Sequence, residues 1–97
     1  MKSHMDHLLL MEMLVAVVDS GSVAGAARKL NLPSPAVSRG VVELERRLGA
    51  RLLTRTAGAA RVTDAGARYA GECRRILLEI DQAFANAAAG RAGPFNL

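Results

Sequence analysis

The chain has 97 residues, enough for one small domain and little more. Hydrophobic residues make up 51% of it, but aromatics are only 3% and Trp is absent, so much of the apolar content is alanine. Such a core is thin, and a dimer interface is expected to supply part of the stability. A formal charge of +4 points toward a polyanionic partner, of which nucleic acid is the commonest. The single cysteine, Cys73, excludes an internal disulfide framework and fits a reducing, cytoplasmic compartment.

Met1–His4 reads as a cloning remnant, with native sequence starting at Met5, so His4 is not a site candidate. Asp6 is placed to cap a first helix running to about Val18, with Leu9, Met13, Leu14, Val17 and Val18 as its buried side. Leu8 to Val18 is too short and too interrupted by charge to span a bilayer, and no signal peptide is recognisable. Asp19-Ser20-Gly21-Ser22 ends this helix, and Ser22 caps a second from Val23 to about Leu30. Ala24, Ala26, Ala27 and Leu30 give it a small-residue surface, while Arg28 and Lys29 project.

The turn Asn31-Leu32-Pro33 leads into a third helix over Pro35–Leu48, with Ser34 as its cap and Pro35 in the first turn, where a missing amide donor costs nothing. Val37, Val41, Leu44 and Leu48 recur at three- and four-residue spacing and form one apolar stripe. Ser34, Ser38 and Arg39 lie on the polar leading face, and Gly49 is placed to stop the helix. Together the second and third helices form a helix-turn-helix pattern, with Ala27, Leu32, Val37 and Leu44 as the joint. Gly40 costs about 1 kcal/mol relative to alanine, and marks either a close approach or a tolerated weakness. An amphipathic core helix with a solvated face and a helix shaped for a major groove both fit this stretch.

Leu52–Thr54 and Arg61–Thr63 are short extended candidates around a flexible tip, Arg55–Ala60. Placed after a helix-turn-helix they suggest a wing, and Arg51, Arg55 and Arg61 would add to a basic face; a solvated surface loop is the alternative. Thr63 caps a last helix with Asp64 in its first turn. It runs to about Ala89, some ~40 Å at the α-helical rise. Cys73, Ile76, Ile80, Ala83 and Ala87 step by three and four as in a coiled-coil seam, and Leu77 and Phe84 broaden the stripe. Self-association is the economical explanation, and burial against a larger missing domain competes with it. Cys73 reads as a buried structural thiol, Gly90–Pro94 as a hinge, and Phe95-Asn96-Leu97 as the start of something further. The expected organisation is a remnant over 1–4, a winged helix-turn-helix candidate over 5–63 (a DNA-binding domain on the groove reading), a linker helix over 64–89 and a hinge over 90–97.

No catalytic constellation is present in this reading. His7 has no cysteine or second useful histidine at metal-ligand spacing, and no Gly-rich phosphate loop occurs. Ser38 has no adjacent base. The acidic residues are scattered along helices, with Glu43 and Arg47 at surface-pair spacing. No cofactor or metal is expected, and neither is an enzyme.

The ordered blocks resemble a known family. Leu14-Val15-Ala16-Val17-Val18-Asp19-Ser20-Gly21-Ser22, Ala26-Ala27-Arg28-Lys29-Leu30-Asn31-Leu32 and Pro35-Ala36-Val37-Ser38-Arg39 are similar to the N-terminal domain of LysR-type transcriptional regulators. So are Leu44-Glu45-Arg46-Arg47-Leu48-Gly49, Arg51-Leu52-Leu53-Thr54-Arg55-Thr56 and Arg61-Val62-Thr63-Asp64-Ala65-Gly66. The resemblance implies a mainly α fold: a winged helix-turn-helix with a two-stranded wing, then a long dimerisation helix. It also implies a two-lobed effector-binding domain that is absent from these residues.

By the same resemblance Ser34, Pro35, Ala36, Ser38 and Arg39 would enter the major groove, with Arg39 the best candidate for a base edge. Arg28, Arg55 and Arg61 would hold phosphates or brace the wing. The implied partners are double-stranded promoter DNA bearing an inverted repeat and a second copy of the chain through Cys73, Ile76, Leu77, Ile80, Ala83, Phe84 and Ala87. A tetramer in the full-length protein and a small-molecule coinducer acting through the missing domain are implied too, and no membrane. Two departures stand out. Pro33-Ser34-Pro35 replaces the family's usual Ser-Gln-Pro, removing a glutamine contact, and Gly58 stands where the wing tip often carries arginine. Weaker minor-groove anchoring is expected from the second. The runner-up reading is a helical dimerisation or adaptor protein with an incidental basic surface.

Overall fold

Six elements follow one another in the computed structural model: α1 (His4–Ser20), α2 (Val23–Leu30), α3 (Ser34–Leu48), β1 (Leu53–Thr56), β2 (Ala59–Val62) and α4 (Asp64–Arg91). The structure describes the backbone of residues 4–56 and 59–91 and the side chains of 6–54 and 59–90. The molecule is elongated, 57 × 26 × 26 Å, because α4 reaches well past the body formed by the other elements.

One apolar cluster holds that body together. Leu10, Met13, Leu14, Ala16 and Val17 of α1 meet Ala26 and Ala27 of α2, Val37, Val41 and Leu44 of α3, Leu52 and Leu53 at the wing, and Ala70 of α4. Leu9 was expected in this set but is 40% exposed. In the unbroken apolar run Leu8–Leu10 the helical period fits more than one phase, and Leu10 takes the inward position. Helix α1 also starts earlier than expected, so Asp6 sits in its first turn and is not its cap.

Small residues set the spacing between elements. A Cβ on Gly40 would collide with the Met13 sulfur and crowd Leu10, so the glycine marks a close approach of α3 to α1. A Cβ on Gly66 would run into the Leu52 carbonyl oxygen, where rigid backbone leaves no room to yield.

The helix ends follow local chemistry. The Gly25 amide donates to Ser22 Oγ at 2.9 Å, capping α2 as its sequence indicates. Helix α3 differs from expectation: Pro33, extended at φ −64° and ψ 142°, is the N-cap and provides no side-chain bond. Ser34 and Pro35 are already helical, so the Ser34 hydroxyl does not cap. The Pro33 carbonyl accepts from the amides of Ala36 and Val37 instead. Pro35 still fits, because amides of a first helical turn have no intrahelical acceptor. Gly49, at φ 68°, ends the helix and donates its amide to the Glu45 carbonyl.

Strands β1 and β2 are antiparallel, pairing Leu53 with Val62, Thr54 with Arg61, Arg55 with Ala60 and Thr56 with Ala59. They reach further into the hairpin than the short segments expected, leaving 57 and 58 between them. Gly58 and its neighbour lie outside the described residues. Thr63, expected to end the second strand, follows it as a junction: its hydroxyl accepts from the Gly66 amide at 2.9 Å and donates to the Arg51 carbonyl at 2.7 Å. One side chain thus caps α4 and fastens the chain after α3.

Candidate nucleic-acid interface

The turn between α2 and α3 depends on one residue in left-handed conformation, Asn31 at φ 57°. Asparagine tolerates that region better than most side chains. The Leu32 amide then closes back on the Ala27 carbonyl at 2.9 Å, fixing the angle at which α3 departs. Val37, Val41 and Leu44 are fully buried and anchor α3 by one side. At about 100° per residue, the opposite side carries Pro35, Arg39, Val42 and Arg46, and all four are exposed. Ser38 and Ala36 flank that line and are half-buried.

Three shallow depressions connect this face to its surroundings. Ala24, Ala27, Arg28, Asn31, Leu32, Pro33 and Ser34 line one at the α2–α3 junction, which brings Arg28 and Ser34 together. A second joins Ser38, Arg39, Val42 and Glu43. The third runs from Val42, Glu45 and Arg46 to Arg51 and Leu53 at the base of the wing. Arg61 is exposed on β2 and shares none of these depressions. The Arg55 side chain lies outside the described residues.

Charge divides the arginines into two groups. Glu43 accepts two bonds from Arg46, at 3.0 and 2.6 Å, and one from Arg47 Nε at 2.9 Å. The Arg46 bonds, then those of Arg47, hold its carboxyl well below the usual range, at about 2. Arg74 pairs with Asp19, and Arg75 with Glu72 and Glu79. Among the described residues, Arg28, Lys29, Arg39, Arg51 and Arg61 take part in none of these ion pairs. Among the described residues, the arginines and lysine without a carboxylate partner therefore lie on α2, the outward face of α3 and the wing with its lead-in, and at Arg68 on α4.

Two fastenings of α3 escaped the sequence reading. Glu45 Oε2 accepts the amides of Leu52 and Leu53 at 2.8 and 3.1 Å, tying the helix to the start of the wing. Arg47 Nη1 stands 3.2 Å from His7 Nδ1, and His7 Nε2 stands 3.2 Å from the Tyr69 hydroxyl. A brace thus crosses from α3 through α1 to α4. Partners separated by 40 and 62 residues leave no periodic trace in a sequence.

Along α4 the apolar stripe changes from buried to bare. Cys73 is fully buried, Ile76 and Leu77 are half-buried, Ala83 and Ala87 are exposed, and Ile80 and Phe84 are 42% and 73% exposed. Burial pushes the Cys73 thiol up, only partly offset by Tyr69, as suits an inert core sulfur. Cys73, expected in the seam, is enclosed by its own chain, and the exposed part of the stripe begins beyond it.

Three helices with a tight α2–α3 turn and a two-stranded hairpin define a winged helix-turn-helix protein. Residues 8–67 match the model of the bacterial regulatory helix-turn-helix proteins of the lysR family. The chain belongs to that family, one of regulators and not of enzymes. It is 48% identical over 80 residues to an HTH-type transcriptional regulator of Xanthomonas campestris, covering 82% of this chain and 23% of that protein. An HTH-type transcriptional repressor of Pseudomonas aeruginosa is 43% identical over 90 residues, covering 93% of this chain and 28% of the repressor. The chain thus spans about a quarter of the length of these curated relatives. The crystal structure of the BenM DBD in complex with catB site 1 DNA superposes with a TM-score of 0.83 at 30% identity, covering 89% of this chain and 92% of that one.

Proposed function

We propose that this chain recognises double-stranded promoter DNA sequence-specifically, with α3 in the major groove, as a homodimer on an inverted repeat. The observation that carries this reading is the outward face of α3: Pro35, Arg39 and Val42 are exposed on a helix buried along its other side. Arg28 shares a depression with Ser34, and Arg51 shares one with Val42, and neither is engaged in the ion pairs described above. The similar BenM DBD is itself a DNA complex, which supports the same use of the fold here. Arg39 has the reach and the fork geometry to pair with a guanine edge, worth about 1–3 kcal/mol of discrimination. Arg28, Arg55 and Arg61 serve the backbone and set register.

The second copy joins through the far part of α4, where Ile80, Ala83, Phe84 and Ala87 continue the buried stripe into solvent. The whole protein then acts as a transcriptional regulator in the bacterial cytoplasm. Response to a small-molecule coinducer, and any tetramer, would depend on parts outside these 97 residues. Fluorescence anisotropy against a random duplex and an inverted-repeat promoter, each at two salt concentrations, tests the reading. Tighter promoter binding that weakens with salt on both duplexes supports it. Absence of binding at low salt contradicts it.

A further inference from the structure

Val42 is the aliphatic side chain on the outward line of α3, and the proposed function assigns it no contact. It is 52% exposed, on a helix that buries Val37, Val41 and Leu44 completely. It lies three residues after Arg39 and four after Ser38, so one turn of helix joins all three on adjoining positions. Val42 also lines both the depression shared with Ser38 and Arg39 and the one reaching Arg51 and Leu53. Its position is central to the basic face, not marginal to it. Arg46, one turn further along, is held by Glu43.

A major groove offers one apolar group to such a side chain, the C5-methyl of thymine. Three residues of helix advance about 4.5 Å, against about 3.4 Å per base step. A helix that sets Arg39 on one base pair therefore brings Val42 over the pair beside it. We infer that Val42 is a specificity-determining residue that takes the C5-methyl of a thymine next to the base pair contacted by Arg39. This inference rests on the proposed DNA reading and adds one element to it, a fixed neighbour in each half-site.

The test begins by enriching a binding site for the 97-residue chain from random duplexes. Each thymine of that site is then replaced singly by uracil, which removes only the methyl group. Uracil beside the Arg39-dependent pair should lower affinity about fourfold, the worth of one buried methyl. V42A should bind the thymine and uracil duplexes equally, with random-duplex affinity and thermal unfolding close to wild type because the residue is exposed. If every uracil duplex binds wild type as well as the parent site, or if V42A keeps the same uracil penalty, the inference is overturned while DNA reading stands. If no site is enriched at all, both fall.

Discussion

Helix α3 and the far half of α4 solve opposite problems. Helix α3 is fixed from several directions: its inner face is buried, Glu45 ties it to the wing, and Arg47 ties it through His7 toward α4. What it leaves outward is mainly polar and basic, with Pro35 and Val42 as the apolar exceptions. The far half of α4 has the reverse character. Among the described residues Ile80 and Phe84 stay exposed, although they prolong the same stripe that Tyr69, Ala70 and Cys73 bury against the body. One region is a finished surface suited to a charged partner, and the other is an unfinished core suited to a copy of itself. Substitutions that treat the two alike should therefore have different consequences.

The largest effect is expected on self-association. Ile80→Asp would place a charge in an apolar seam, weakening the dimer a hundredfold or more, on the order of 3 kcal/mol. Sedimentation should show monomers, while the melting of the domain body changes little because Ile80 lies outside its apolar cluster. An unchanged dimer would remove α4 from the interface. Next comes the anchoring of α3. Glu45→Ala leaves the Leu52 and Leu53 amides without their acceptor, and denaturant unfolding should report a loss of about 1–3 kcal/mol. Hydrogen exchange should quicken at those two amides first; unaltered protection there would show that the carboxylate bond is dispensable.

His7→Ala cuts the brace between α3 and α4 and should cost about 1 kcal/mol, read by the same unfolding experiment. An equal loss in His7→Ala, Arg47→Ala and the double variant would show one connected path; additive losses would show two separate contacts. The smallest effect concerns acid. The Glu43 carboxyl is lowered from an ordinary 4.5 to about 2 by Arg46 and Arg47. A depressed carboxyl stabilises the folded state above its unfolded value and loses that contribution as pH falls from 4.5 toward 2. Glu43→Gln should flatten stability across that acid window and lower it slightly at neutral pH, where the carboxylate contribution is fully present but screened by the solvent around Arg46.

Local chemistry made much of the fold legible. Ser22, Thr63 and Gly49 sit where capping residues belong, and the Val37–Val41–Leu44 spacing identified the inner face of α3. Where several phases or partners competed, the sequence was ambiguous. The run Leu8–Leu10 permits more than one helical phase, and Pro33 outcompetes Ser34 as cap because its φ already suits the position. Cys73 obeys the seam period but lies where α4 still packs on the body, and period alone does not say which partner covers it. Glu45 and His7 act across a chain reversal, invisible to any local pattern. The outward placement of Arg39 followed from the helical period.

The most direct experiment measures Arg39→Ala (R39A) by anisotropy titration on the inverted-repeat promoter and on random duplex in parallel. The account predicts a promoter affinity reduced tenfold or more, about 1.4 kcal/mol or greater, with random-duplex affinity reduced far less. Equal losses on both duplexes would make Arg39 a phosphate contact, and no loss on either would take α3 out of the groove.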